Sequence, residues 1–240
     1  LQVDTGMNRL GLSLAEAADL ARRPPAARAG VDLLVSHFAS SEDPGHALNA
    51  QQMGRFRELR GLFPAMRGSL ANSSGIFLGP DAHHDLVRPG AALYGVNPTP
   101  DHLNPMRPVV TLEGRVVQVR EAEAGETVGY NATRTLRRPS RLAIVSIGYA
   151  DGFPRAAGGT DLSPGADAIV AGHRCPLAGR VSMDLIVVDV TDLPDDQPRR
   201  GDKVALLNEE IGVDEVGTAA GTIGYEVLTR LGARYARVYR

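Results

Sequence analysis

The chain has 240 residues, of which 43% are hydrophobic and 22% charged, with a formal net charge of −2. These values exclude a disordered or low-complexity polypeptide and leave room for one large domain or two modest ones. The near balance of charge gives no reason to expect nucleic acid or a membrane surface as a partner, and no apolar run approaches the ~20 residues of a membrane-spanning helix.

The start of the chain shows neither the basic segment nor the apolar segment of a secretory leader. A single cysteine, Cys175, excludes an internal disulfide and fits a reducing compartment, so a cytoplasmic location is expected. Residues 1–3 read as the end of a strand, and Asp4-Thr5-Gly6 as the loop leaving it. Ser13-Leu14-Ala15-Glu16 is a capping box, in which a hydroxyl and a carboxylate each satisfy an orphan backbone donor, so a helix is predicted from Leu14 to about Arg22. Pro24-Pro25 stops it. Val31 to Ser36 is a continuous apolar run, expected to be a strand buried on both faces. From Ala47 to Leu62 the spacing of Leu48, Met53, Phe56 and Leu59 predicts a helix. A third strand is predicted over Arg67 to Ala71, then Asn72-Ser73-Ser74-Gly75 and a short helix with Ile76, Phe77 and Leu78. A fourth strand should lead through Arg88 into Pro89-Gly90.

This alternation is the βα pattern of a parallel sheet or barrel, with functional-looking loops at the carboxyl ends of the strands. Four strands make half of a (β/α)8 barrel, a fold of ~250 residues. Residues 1–97 are therefore expected to be its second half, strands five to eight, with the first half outside this chain. Open strand edges on such a half should promote association. Residues 98–108 are a proline-rich linker. Residues 109–240 change to strands with turns between them, and a mostly β domain is expected. Its strands should lie near 109–120, 142–148, 169, 185–190 and 203–207, with two short helices over 214–220 and 225–231.

The densest candidate for chemistry is IGYADGFPR, Ile147 to Arg155. Glycines around Tyr149 suggest a phenol at a tight strand exit, where backbone can approach a ligand closely. An ordinary glycine-rich hairpin with a surface tyrosine has the same letters. Ser73 and Gly90 sit after successive strands and suit a phosphate; Ser73 could equally be a helix N-cap. His37 at a strand end has the alternative of a hydrogen-bonded core residue, Arg88 of a surface arginine, Met183 of core packing, and Tyr225 of a core aromatic.

Seven stretches in order resemble the alanine racemases, which use pyridoxal 5'-phosphate on a (β/α)8 barrel followed by a β domain. They are VDTGMNRLG ending at Gly11, SHFA at Ser36 to Ala39, ANSSG at Ala71 to Gly75, VRPGAALYG at Val87 to Gly95, IGYADGFPR, GRVSMD at Gly179 to Asp184, and IGYEVLTRL at Ile223 to Leu231. The resemblance implies that Asn72, Ser73, Gly90, Ala91 and Tyr225 hold the cofactor phosphate and that Arg88 meets the pyridine nitrogen. It implies that His37 links Arg88 to the catalytic phenol, and that Tyr149 takes the Cα proton of L-alanine. Arg9 and the backbone N–H of Met183 would bind substrate, with Arg180 and Asp184 at the entrance. It further implies a homodimer with composite active sites, and a product, D-alanine, used in peptidoglycan.

Two departures stand out. Many family members carry a carbamylated lysine where this chain has Gln2, whose amide offers Arg9 only a neutral hydrogen bond. The family's cofactor-anchoring lysine, which is also the second base, lies on the first barrel strand. Lys203 is the only lysine here and reads as a solvated residue between turns of the β domain, so the chain alone should not racemise alanine. Gln2 keeps open a broad-specificity amino acid racemase, and the absent lysine permits a non-catalytic remnant that binds phosphate-bearing ligands; a decarboxylase of the related fold is a third reading, against which Tyr149 and Arg88 argue.

Overall fold

A computed structural model describes residues 1–24 and 29–239; Pro25, the second proline of the expected helix stop, lies outside the described residues. The chain divides into two units, Leu1–Met106 and Arg107–Arg240.

In the first unit, helix α1 (Leu14–Arg22) begins with the complete capping box. The Ser13 hydroxyl accepts the Glu16 N–H at 3.2 Å, and Glu16 Oε2 accepts the Ser13 N–H at 2.8 Å. Helix α2 spans Ala47–Leu62 and buries Phe56 and Leu59. Between the helices, β1 (Leu33–Val35) pairs in parallel with β2 (Arg67–Ser69). Residues 1–3 run along the other edge of β1, with Val3 N–H donating to Val35 O at 2.9 Å and Val35 N–H to Leu1 O at 2.8 Å. Leu34, Phe38, Phe56, Leu59 and Val3 form one buried cluster beneath.

Two expectations need correction here. β1 is shorter than predicted and is not covered on both faces: Leu34 is buried, Leu33 and Val35 are only partly so, and Val31 is exposed. The period-two pleat turns one side chain in three toward the cluster. The predicted fourth strand forms no ladder. Asp85 and Leu86 both donate to Gly68 O, at 3.0 and 3.2 Å, and Arg88 N–H reaches Ala71 O at 2.9 Å before Pro89, which has no N–H to continue. The short helix expected over Ile76, Phe77 and Leu78 forms, as a 3-10 helix over Gly75–Leu78. The outcome is a partial barrel-like array whose segments all deliver their carboxyl ends in one direction.

The second unit is an antiparallel β structure. Its strands are β3 (Leu112–Ala122), β4 (Thr127–Val128), β5 (Arg134–Thr135), β6 (Ser140–Val145), β7 (Asp167–Val170), β8 (His173–Pro176), β9 (Ile186–Asp189) and β10 (Lys203–Leu207). Six of them form a sheet in the order β8-β7-β10-β3-β6-β9, and β4 and β5 pair separately. Helices α3 (Val213–Ala219) and α4 (Gly224–Arg230) follow. β8 is absent from the expectations because His173-Arg174-Cys175-Pro176 has no apolar alternation; its pairing with β7 decides it. β6 stops at Val145, short of Gly148. Lys203 opens β10, and its ammonium lies 2.6 Å from Glu113 Oε2 in a half-exposed ion pair.

Replacing Ser13 by alanine removes the hydroxyl that accepts the Glu16 N–H and leaves only the backbone half of the capping box. We expect a loss of about 1 kcal/mol, read as a lower urea midpoint with an unchanged slope.

Candidate active site

The site begins with Arg88, which leaves its extended segment immediately after bonding Ala71 O. Its Nη1 donates to Ser69 Oγ at 2.6 Å and its Nη2 to Ser36 O at 2.6 Å, and Nη2 also stands 3.3 Å from His37 Nδ1. Nε–H has no hydrogen bond among the described residues. Burial lowers the guanidinium pKa, but arginine starts so high that the charge persists at neutral pH.

On the far side of the imidazole, His37 Nε2 lies 3.3 Å from Asn72 Nδ2. The Asn72 orientation follows from its other atom: Oδ1 accepts the Gly75 N–H at 2.8 Å and the Ser41 hydroxyl at 2.9 Å, so Nδ2 is the donor. His37 thus has donors facing both ring nitrogens. An imidazolium could accept from neither, and a neutral ring can accept from one. Burial first, then the charges of Arg88 and Arg9, push its pKa down, so His37 is held neutral.

Ser73 is buried, and its Oγ accepts the N–H groups of Gly90 at 2.9 Å and Ala92 at 3.3 Å. It is not the cap of the following turn: that position belongs to Ser74, which makes no capping bond. Gly90 sits before the 3-10 turn Ala91–Tyr94, and a Cβ placed on it would meet nothing within 4 Å. The stretches LANSSGI and VRPGAALYG contain no carboxylate. The Ala91 N–H, without a hydrogen bond among the described residues, the Ser73 O–H, open space and no acid form a donor set that fits a phosphate.

Arg9 lies on an exposed loop organised by Asp4. That carboxylate accepts N–H groups from Gly6 at 2.7 Å, Met7 at 2.8 Å and Arg9 at 3.1 Å. Burial opposes its ionisation, but the backbone donors outweigh burial and lower its pKa. Gln2 does offer a neutral hydrogen bond, but its Nε2 donates to Leu10 O at 3.1 Å rather than meeting Arg9. The Arg9 guanidinium has no hydrogen bond among the described residues.

In the second unit Tyr149 opens a 3-10 turn, Tyr149–Asp151. Its N–H donates to Ser182 O at 3.0 Å, and Ala150 N–H to Met183 O at 2.9 Å. The glycines are explained by this packing. A Cβ on Gly148 would collide with the carbonyls of Ser182 and Met183, and Gly152, at φ +101°, would collide with the Arg230 carbonyl. The tight exit exists, but what approaches it closely is the chain's own backbone. Tyr149 is partly exposed, and its hydroxyl has no hydrogen bond among the described residues. Met183 is 53% exposed, so core packing does not describe it. Its N–H is likewise without a described partner. Tyr225, the second residue of α4, is also partly exposed rather than a core aromatic.

The structure therefore gathers His37, Asn72, Ser73, Arg88, Gly90 and Ala91 in the first unit and sets Arg9 on a neighbouring loop there. Tyr149 and Met183 share adjoining turns in the second unit. Sequence reading missed Ser36, Ser41, Ser69, Thr5 and Gln52. Gln52 is fully buried; its Nε2 donates to Thr5 Oγ1 at 3.1 Å and His37 O at 2.8 Å, and its Oε1 accepts the Ala39 N–H at 2.9 Å. A signal was present: Gln52 interrupts the apolar stripe between Leu48 and Phe56 on α2, and a buried amide needs partners.

Parallel segments ending in an arginine–imidazole pair and an acid-free donor set, followed by an antiparallel β unit, define a barrel-type site suited to an anionic ligand. Residues 1–98 match the alanine racemase N-terminal domain and residues 109–239 the alanine racemase C-terminal domain. The chain belongs to the alanine racemase family. An alanine racemase of Methylobacterium nodulans is 54% identical over 239 residues, covering 100% of this chain and 63% of that protein. A biosynthetic alanine racemase of Agrobacterium fabrum is 48% identical, with 63% of its length covered. The chain thus spans just under two thirds of these relatives. Among solved structures, alanine racemase from Bartonella henselae with covalently bound pyridoxal phosphate matches with a TM-score of 0.89 and 44% identity, over 100% of this chain and 66% of that one.

Folding weakens proton binding at His37, so the protonated form is favoured by unfolding. Its contribution to stability is complete above about pH 6.5, the unfolded value, and is lost as pH falls below it toward the folded pKa. In His37→Asn the drop in stability between pH 7 and pH 5 should be smaller, measured by denaturant titration at each pH.

Proposed function

We propose that this chain forms the part of a pyridoxal-phosphate-dependent alanine racemase that holds the cofactor and supplies one of the two bases exchanging the proton at Cα. The observation that carries this reading is Arg88, pinned by Ser69 and Ser36 and facing a neutral His37, with its Nε–H unpaired among the described residues.

When bound, the cofactor supplies an electron sink for charge developing at the substrate Cα. Ser73, Gly90, Ala91, Asn72 and Tyr225 would hold its phosphate. Arg88 would face the pyridine nitrogen and, being arginine, would not surrender its proton to it. That would limit how far charge is drawn away from Cα and would favour return of a proton there. Tyr149 removes the proton on the L-alanine face, and the Met183 N–H and Arg9 orient the substrate. A homodimer completes the reading, each subunit lending Tyr149 to its partner's site. Lys203 stands in an exposed ion pair with Glu113. The covalent anchor and second base are accordingly assigned to a lysine outside these 240 residues. D-alanine is the product, and peptidoglycan its destination. Broader amino acid specificity is a second reading, favoured by Arg9 having no described anionic partner; serine racemised as fast as alanine would support it.

Borohydride reduction of the full-length protein in the presence of pyridoxal phosphate, followed by peptide mapping, tests the reading. Label on a lysine other than Lys203, together with alanine racemisation, is expected; label on Lys203 alone sinks it. Tyr149→Phe should retain the cofactor and lower kcat by about 10²–10⁴-fold, measured by the release of Cα tritium or deuterium to solvent.

A further inference from the structure

Arg234, near the end of the chain, touches two carboxylates that belong to different turns. Its Nε lies 3.2 Å from Asp151 Oδ1 and its Nη2 2.9 Å from Asp184 Oδ1. Asp151 closes the turn that Tyr149 opens. Its side chain is only 11% exposed, and its second oxygen accepts the Gly148 N–H at 2.9 Å. Asp184 directly follows Met183. One guanidinium therefore ties the turn bearing Tyr149 to the turn bearing the free Met183 N–H.

We propose that Arg234 and Asp151 are positioning residues for Tyr149, setting where its phenol stands relative to the Met183 N–H that takes the substrate carboxylate. This inference rests on the racemase reading above. The main-chain bonds from Tyr149 and Ala150 to residues 182 and 183 hold one side of the turn, and a single main-chain bond, from Gly232 N–H to Asp151 O, holds the other. A single 3-10 turn has little rigidity of its own. The Asp151–Arg234–Asp184 bridge reinforces that other side and stops the turn from rotating about those bonds. Gly232 N–H, donating to Asp151 O at 2.9 Å, brings the segment carrying Arg234 to the same place.

The bridge is poorly suited to a purely stabilising role. Arg234 and Asp184 are each 54% exposed, and exposed ion pairs stabilise little. Its geometry, by contrast, is specific to arginine: two nitrogens of one rigid plane meet carboxylates from separate turns, which a lysine ammonium cannot reproduce. Misplacement of a reacting group by ~1 Å can cost ~100-fold in rate. The neighbouring Tyr235 is no rival base. Its buried hydroxyl has no described partner, and burial, then the Asp151 charge, pushes its pKa up to about 12.

The test uses the holoenzyme with Arg234→Lys and Asp151→Asn, assayed on ordinary and Cα-deuterated L- and D-alanine. In both variants kcat/KM should fall at least about tenfold in both directions together, since the racemisation equilibrium is fixed by symmetry. The isotope effect should rise with deuterated L-alanine, whose Cα hydrogen goes to Tyr149, and not with deuterated D-alanine. Rates within twofold of the parent overturn the inference. So does a rate loss with both isotope effects unmoved, which is what fewer folded molecules produce. A parent enzyme that does not racemise alanine overturns the functional reading itself, whereas an active parent with unaffected variants overturns this inference alone.

Discussion

The first unit depends on how one partly buried positive charge is accommodated. Arg88 gives up much of its hydration and receives in return the Ser69 hydroxyl and the Ser36 carbonyl, each at 2.6 Å. Those acceptors sit at the carboxyl ends of β1 and β2, so the guanidinium can be satisfied only if the two strands end level and in parallel. The register Val35 opposite Ser69 provides this. A neutral His37 follows from the same charge, because a second cation beside Arg88 would be doubly penalised by burial and repulsion. The electrostatics of the site are thus a consequence of strand register.

A second layer holds that arrangement from behind. Gln52 spans Thr5, His37 and Ala39, tying α2 to two loops at once. Every polar atom of its amide has a partner, as a fully buried side chain requires. Arg55 adds a bond from the same helix to Thr5 O at 2.8 Å. The helix that buries Phe56 and Leu59 in the core therefore also positions the histidine loop, and packing and site geometry are carried by neighbouring residues on one face of the same helix.

The second unit solves a different problem, that of presenting a phenol from a turn only three residues long. Its solution is close backbone contact. Gly148 and Gly152 allow carbonyls of residues 182, 183 and 230 to approach where any Cβ would collide. Side chains then complete what the backbone begins, through Asp151 and Arg234. The apolar residues of β6, β7, β9 and β10 supply the support: Val145, Val170, Val188 and Val204 are all fully buried.

Local chemistry was enough to read α1 from Ser13 and Glu16, α2 from its apolar spacing, and the seven stretches that resemble the alanine racemases, because capping, periodicity and motif spacing are properties of near neighbours in the chain. The same letters could not reveal that Ser73 receives bonds from Gly90 and Ala92, that Gln2 serves Leu10 rather than Arg9, or that His173 to Pro176 is a strand. Each depends on a partner distant in sequence or on a competition between acceptors. Nor could they show that the glycines beside Tyr149 answer to the chain's own carbonyls. Residue types and their order determined the family and the inventory of reactive groups; only the tertiary structure decided which donor meets which acceptor, because a hydrogen bond is satisfied in space and leaves no spacing in the sequence.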